Sequence, residues 1–186
     1  MIILVDMDNT LAEFDKGLLK IWRSQYPDEP YVALEDRKSF HPHKDYPERL
    51  HQKIHDICHS KNFILDLEPA PGGIAAVHAM LSAGHDVRFC TSYLIDYEFC
   101  ITEKYAWIEK QFSPDFIERI IITRDKTLIR GDILIDDKPD ITGMLSPSWE
   151  HILYDRPHNR TVVDKRRITW QNWRDILPKN TASQAG

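Results

Sequence analysis

Apolar residues along this chain gather into short, separated runs, with stretches of helical periodicity between them. Ile2–Val5 is uninterrupted and β-branched, which predicts a buried strand. Four further runs predict strands: Asp86–Cys90, Arg119–Ile122, Ile133–Ile135 and His151–Tyr154. Pro71–Gly84 predicts a helix with a Pro-Gly entry and a Gly exit, and Tyr97–Phe112 predicts another that ends before Ser113-Pro114. Trp170–Leu177 predicts a short closing helix, and residues 179–186 a flexible tail. Strands alternating with helices imply an α/β fold, a doubly wound and mainly parallel Rossmann-like sheet.

One stretch breaks the alternation. From Phe14 to Pro69 the pattern is helical and no strand is convincing. A right-handed crossover needs only about a dozen residues, so the stretch reads as a small helical cap inserted after the first strand. The expected division is a core of residues 1–14 and 70–178, a cap of 15–69, and the tail.

The chain has 186 residues, enough for one domain with a modest insertion. Its net charge of -5 disfavours binding to nucleic acid polymers, which needs a basic face. A small phosphorylated ligand would need only one local Lys or Arg. No apolar run approaches bilayer length, and the first run stops at Asp6 without a basic segment before it, so neither a membrane span nor a signal peptide is expected. Three cysteines (Cys58, Cys90, Cys100) without C-x-x-C spacing suit a reducing cytoplasm. A homodimer is left open.

The chemistry concentrates where predicted strands end. The first strand delivers Asp6 and Asp8, with Thr10 close behind, and the second delivers Thr91 and Ser92. Arg124, Asp125 and Lys126 follow the third, and Asp136 and Asp137 close the fourth. In an open α/β sheet these ends face the ligand crevice. Two acids one residue apart call for a cation, most simply Mg²⁺ held by oxygen ligands. One carboxylate can be a nucleophile and a second an acid/base, while hydroxyls and a lysine hold phosphate oxygens. Singly, Thr91 and Ser92 could be helix caps, Lys126 a surface lysine, and Asp136-Asp137 a turn. Together and in this order they point to phosphoryl transfer.

DMDNT at 6–10, CTS at 90–92, Lys126 and GDILIDD at 131–137 resemble the four motifs of the haloacid dehalogenase (HAD) superfamily. LEDR (34–37), SKNF (60–63), LEPAPG (67–72), EKYAW (103–107), PDF (114–116), TRDKT (123–127), LIDDKPDITG (134–143) and SWEHIL (148–153) look like the 5′(3′)-deoxyribonucleotidase family within it. The resemblance implies a Mg²⁺-dependent phosphomonoesterase acting on nucleoside monophosphates. Asp6 would attack phosphorus and Asp8 would serve as acid and then base. Asp6, the Asp8 carbonyl and Asp137 would hold the metal with Asp136 close by, and Thr91, Ser92 and Lys126 would bind the phosphoryl group. Phe14, Phe40, His41, Tyr93 and Arg124 would line the leaving-group pocket.

That pocket departs from the family pattern. His41-Pro42-His43 stands where the animal enzymes carry an aromatic residue and then an aliphatic one, and Cys58 and Ile64 stand where larger aromatics are expected. The alternative is therefore a cap-type phosphatase for a sugar phosphate or another small phosphomonoester. His51, His55 and His59 share a helical face, which reads as a solvated surface rather than a metal site. Trp107 and Trp149 read as packing. A receiver domain would place its adjacent acids after the first strand and lack the insertion, and a dinucleotide-binding domain would need G-x-G-x-x-G after strand one. Nothing is missing from the catalytic set that would suggest a non-catalytic binding module.

Overall fold

The structure, a computed structural model, describes residues 1–94 and 98–177. At its centre lies β1 (Ile2–Val5), paired in parallel with β2 (Asp86–Thr91) on one side and β4 (Ile133–Asp136) on the other. β3 (Ile120–Ile122) adds outside β2, and β5 (Glu150–Tyr154) and β6 (Arg167–Ile168) add outside β4. The order β3-β2-β1-β4-β5-β6 is parallel throughout. The winding direction reverses between β1 and β4, which opens a crevice beyond Val5 and Asp136. Five of these strands were expected; β6 is only two residues long and leaves no periodicity to detect.

Both faces of the sheet are covered, so its central strands are apolar without alternation. Ile3, Val5, Phe89, Ile135 and Ile152 belong to the main core. Leu4, Cys90, Leu134 and Trp149 form a smaller cluster on the opposite face. α3 (Gly73–Ser82) is bracketed by Gly72 at φ +86° and Gly84 at φ +81°, left-handed positions that cost glycine little. α4 runs from Cys100 to Gln111, and the expected start at Tyr97 lies outside the described residues, as does the 179–186 tail. The closing helix is the single turn α5 (Trp173–Ile176).

Between Phe14 and Pro69 stand α1 (Phe14–Gln25), three short 3-10 turns and α2 (His51–Cys58), with no strand. An antiparallel bridge between Ala12 and Pro69 closes the base of this insertion. Phe14, Leu18, Trp22, Ile54 and Phe63 continue the main core upward into it. α4 pins its return limb from below. Glu103 accepts from the Asn62 N–H (2.5 Å) and the Ile64 N–H (3.0 Å), and the Trp107 indole donates to the Leu67 carbonyl at 2.8 Å.

Candidate active site

The ladder of β1 ends with the Asp6 N–H donating to the Ile135 carbonyl at 2.9 Å. The chain then turns tightly: the Met7 carbonyl accepts from Thr10, Leu11 and Ala12, and Asn9 sits at φ +56°. Distant side chains hold this turn, with Arg156 Nε donating to the Asn9 carbonyl (2.5 Å) and the Trp170 indole to the Thr10 carbonyl (2.8 Å). Thr10 itself is fully buried.

Asp6, Lys126 and Asp136 form a buried triad. Lys126 Nζ lies 2.5 Å from Asp6 Oδ1 and 2.5 Å from Asp136 Oδ2. Lys126 is delivered by a turn that Asp125 caps, accepting from the Thr127 N–H at 2.9 Å and the Met144 N–H at 2.8 Å. The Trp149 indole donates to the Lys126 carbonyl at 3.3 Å, so this tryptophan braces the site rather than merely filling the core. Burial opposes the charge on Lys126, but Asp136 and Asp6 outweigh it and hold its pKa above the lysine range. Burial raises the pKa of Asp6, with Lys126 pulling the other way.

Asp8 faces a different cation. Lys104 Nζ on α4 donates to Asp8 Oδ1 at 2.8 Å and to Thr91 Oγ1 at 3.0 Å, with no solvent exposure. Burial raises the Asp8 pKa against the opposing field of Lys104. Sequence reading missed Lys104. Its signal was a lysine in a buried stripe with Cys100, Trp107 and Ile108, at spacings that put them on one helical face.

Carboxylate oxygens of Asp6, Asp136 and Asp137 lie within 4.8 Å of one another. Asp137 is buried, and its Oδ2 is a hard anion that suits a hard cation. His158 Nε2 is 3.1 Å from it, and Asn159 Nδ2 donates to the Asp137 carbonyl at 2.7 Å. Burial pushes Asp137 up to about 7, with His158 opposing. Burial disfavours a charged His158, yet Asp137 and Asp15 hold its pKa above the ordinary histidine value. Neither His158 nor Asn159 was foreseen, because they follow a proline turn with no periodicity.

A cavity of about 480 Å³ opens over this cluster. Asp6, Asp8, Ser92, Lys126, Asp136 and Asp137 line one part of it. The expected pocket residues Phe14, Phe40, His41, Tyr93 and Arg124 all line it too, with the Arg124 guanidinium 5.6 Å from the centre of the Tyr93 ring. Thr91 does not line it: fully buried, it sits beneath Lys104. The Phe40–His43 loop is anchored by Arg37, whose guanidinium lies 2.6 Å from both Asp15 Oδ1 and Asp45 Oδ2 and donates to the Ser39 carbonyl at 2.8 Å.

Among the described residues Asp6, Asp136 and Asp137 are the one group of three or more acid, histidine or cysteine side chains spaced to hold a metal ion. Cys58, Cys90 and Cys100 are free and buried, and burial pushes the Cys90 thiol up to about 12. No helix among the described residues is long and apolar enough to cross a membrane.

A parallel sheet in this order, with acids at the ends of its two central strands, has the fold of the HAD-type hydrolases. A HAD family hydrolase of Deinococcus radiodurans, solved with bound phosphate and sodium, superposes with a TM-score of 0.60 at 13% identity, over 94% of this chain and 93% of that one. The family model described as "5' nucleotidase, deoxy (Pyrimidine), cytosolic type C protein" matches residues 1–183. The human mitochondrial 5′(3′)-deoxyribonucleotidase is 46% identical, covering 94% of this chain and 81% of its own length. The human cytosolic-type enzyme is 45% identical, with coverages of 94% and 92%. The chain belongs to the 5′(3′)-deoxyribonucleotidase family of the HAD superfamily, whose members are phosphoric monoester hydrolases.

Proposed function

We propose that this chain is a Mg²⁺-dependent phosphomonoesterase that dephosphorylates deoxynucleoside monophosphates through an aspartyl-phosphate on Asp6. The observation that carries the reading is the pairing of two carboxylates with two different buried lysines, Asp6 with Lys126 and Asp8 with Lys104. This splits the roles that two-step hydrolysis needs. Asp6, beside the Lys126 ammonium, is the nucleophile: its oxygen bonds to phosphorus in line as the ester oxygen departs. Asp8, kept protonatable by burial, gives its proton to that oxygen and then takes one from the water that attacks the aspartyl-phosphate. Lys126 and Ser92 hold the phosphoryl oxygens, and Thr91 acts at one remove by holding Lys104.

Asp6, Asp136, Asp137 and the Asp8 main-chain carbonyl would hold Mg²⁺. When bound, the ion supplies the positive charge that lets a carboxylate approach an anionic phosphate. The insertion over residues 15–69 acts as the cap that seats the leaving group. Phe14 and Phe40 favour a flat aromatic base over a sugar alone, which puts the sugar-phosphate alternative second. The three free buried thiols suit a reducing compartment such as the cytoplasm.

Phosphate release from a panel of deoxynucleotides, ribonucleotides, 3′-nucleotides and sugar phosphates, with and without Mg²⁺, tests this. Mg²⁺-dependent release led by deoxynucleotides is expected. Release led by sugar phosphates would transfer the site to the alternative substrate class.

A further inference from the structure

Asp15 stands where the insertion leaves the core, and its contacts run in both directions. Its N–H donates to Asn9 Oδ1 at 2.9 Å, which ties the first turn of α1 to the turn that carries Asp6 and Asp8. Its Oδ1 lies 2.6 Å from the Arg37 guanidinium, and its Oδ2 lies 3.9 Å from His158 Nδ1. The other ring nitrogen, His158 Nε2, is 3.1 Å from Asp137 Oδ2. Arg37, Asp15, His158 and Asp137 thus form a chain from the insertion to a carboxylate of the candidate metal site. None of the four side chains is more than 12% exposed.

The insertion end of this chain is a clasp. Arg37 Nε donates to Asp45 Oδ2 at 2.6 Å, and a further guanidinium nitrogen donates to the Ser39 carbonyl at 2.8 Å. Asp45 in turn accepts from the Lys38 N–H at 3.2 Å and the Ser39 N–H at 3.1 Å. A planar guanidinium can serve Asp15 and Asp45 together because its donors point in fixed directions. The loop closed in this way carries Phe40, which reaches the metal carboxylates by a second route. The Phe40 ring meets the His158 ring edge-on, with centroids 5.9 Å apart, and Lys138 Nζ lies 5.7 Å from the Phe40 centroid. The Lys138 N–H donates to Asp136 Oδ1 at 2.8 Å. Little water separates these groups, so a positive charge at Asp137 is weakly screened at His158 and Asp15. A carboxylate held by a cation also holds its imidazole, and a fixed imidazole gives Asp15 and Phe40 one arrangement to pack against.

We infer that Asp15 is a positioning residue that couples the insertion to the metal site: a divalent cation at Asp6, Asp136 and Asp137 tightens the 37–45 loop, and the seated loop raises the affinity for the cation. Such coupling is reciprocal, so one factor describes both effects. The inference rests on the Mg²⁺ reading above and deepens it by naming residues beyond the ligands that set the affinity.

The test is amide hydrogen exchange with and without Mg²⁺, alongside Mg²⁺ calorimetry without substrate, in the native chain and two variants. Asp15→Asn keeps the shape and removes the charge. Arg37→Lys keeps the charge and removes the fork. Melting temperatures check that both variants fold. In the native chain Mg²⁺ should slow exchange at the Lys38 and Ser39 amides roughly fivefold. In each variant that slowing should fall below about twofold, and the Mg²⁺ dissociation constant should rise roughly fivefold. A merely structural role would speed loop exchange equally with and without Mg²⁺ and leave the isotherm unchanged, and that result would overturn the inference. Native loop amides that ignore a bound Mg²⁺ would overturn it as well, with the metal site left intact. A native chain that binds no Mg²⁺ would remove both the coupling and the Mg²⁺ reading.

Discussion

Lys104 Nζ donates to Asp8 Oδ1 at 2.8 Å from a position with no solvent exposure, so a helix remote in sequence from its strand opposes the burial that raises the Asp8 pKa. Truncating the lysine leaves the half-buried Asp8 carboxylate at the cavity wall without its cation, which destabilises the fold by less than the loss of a fully buried partner would. Lys104→Met should lower kcat roughly 100-fold. It should also move the pH-rate limb governed by Asp8 to higher pH, because the ammonium that held that pKa down is gone. A pH profile displaced only in height would contradict the pairing. Adding Asp8→Asn to Lys104→Met should recover much of the lost stability, which a thermal melt reads.

His158 lies 3.1 Å from Asp137 Oδ2 and Asn159 holds the Asp137 carbonyl, so the two fix this carboxylate in place. Groups that orient a metal ligand are typically worth about 10–100-fold in metal affinity. His158→Gln should weaken Mg²⁺ binding by that order in calorimetry without substrate. An unchanged Mg²⁺ isotherm would remove His158 from this role.

Gly143 abuts the Asp125 cap so closely that a Cβ there would run into the Asp125 carboxylate and the Thr127 hydroxyl. Gly143→Ala must displace the turn that delivers Lys126, at a cost of about 1–3 kcal/mol for such overpacking. The expected outcome is a kcat loss larger than any rise in KM, with the chain still folded by circular dichroism. Native kcat in this variant would show that the turn yields without moving Lys126.

The parts of this molecule that were legible beforehand are those with a period or a strand end. Ile2–Val5 announced a buried strand by its unbroken run, and Asp6, Asp8, Lys126, Asp136 and Asp137 followed because ligand chemistry gathers where parallel strands stop. Lys104 escaped this logic because it arrives from a helix flank, and His158 because it follows a proline in a loop. Thr91 was placed one layer too shallow: its hydroxyl meets Lys104 beneath the cavity rather than the cavity itself. The insertion was recognised by its length and helical period. Its contents were not, because Arg37, Asp15 and Asp45 meet through tertiary packing that no local pattern encodes.

Burial drives His151 down to about 4, with Lys165 adding to the effect. In the unfolded chain the ring takes a proton below its ordinary value of about 6.5, so between that pH and 4 the unfolded state binds more protons than the folded one. Stability is therefore full above pH 6.5 and falls as the pH drops through this window, by up to ~3 kcal/mol. His151→Gln should flatten the melting temperature over that range. An equally steep fall in the variant would assign the acid sensitivity to another group.

The most direct test of the account is to quench the enzyme with borohydride during turnover of a deoxynucleotide and map the product by peptide mass spectrometry. Borohydride reduces an acyl phosphate to the alcohol, so an aspartyl-phosphate on Asp6 appears as homoserine at position 6. The account predicts that conversion at Asp6 alone, dependent on substrate and absent in Asp6→Asn. Homoserine at Asp8 or Asp137, or an unmodified Asp6 in an enzyme that is turning over, would contradict it.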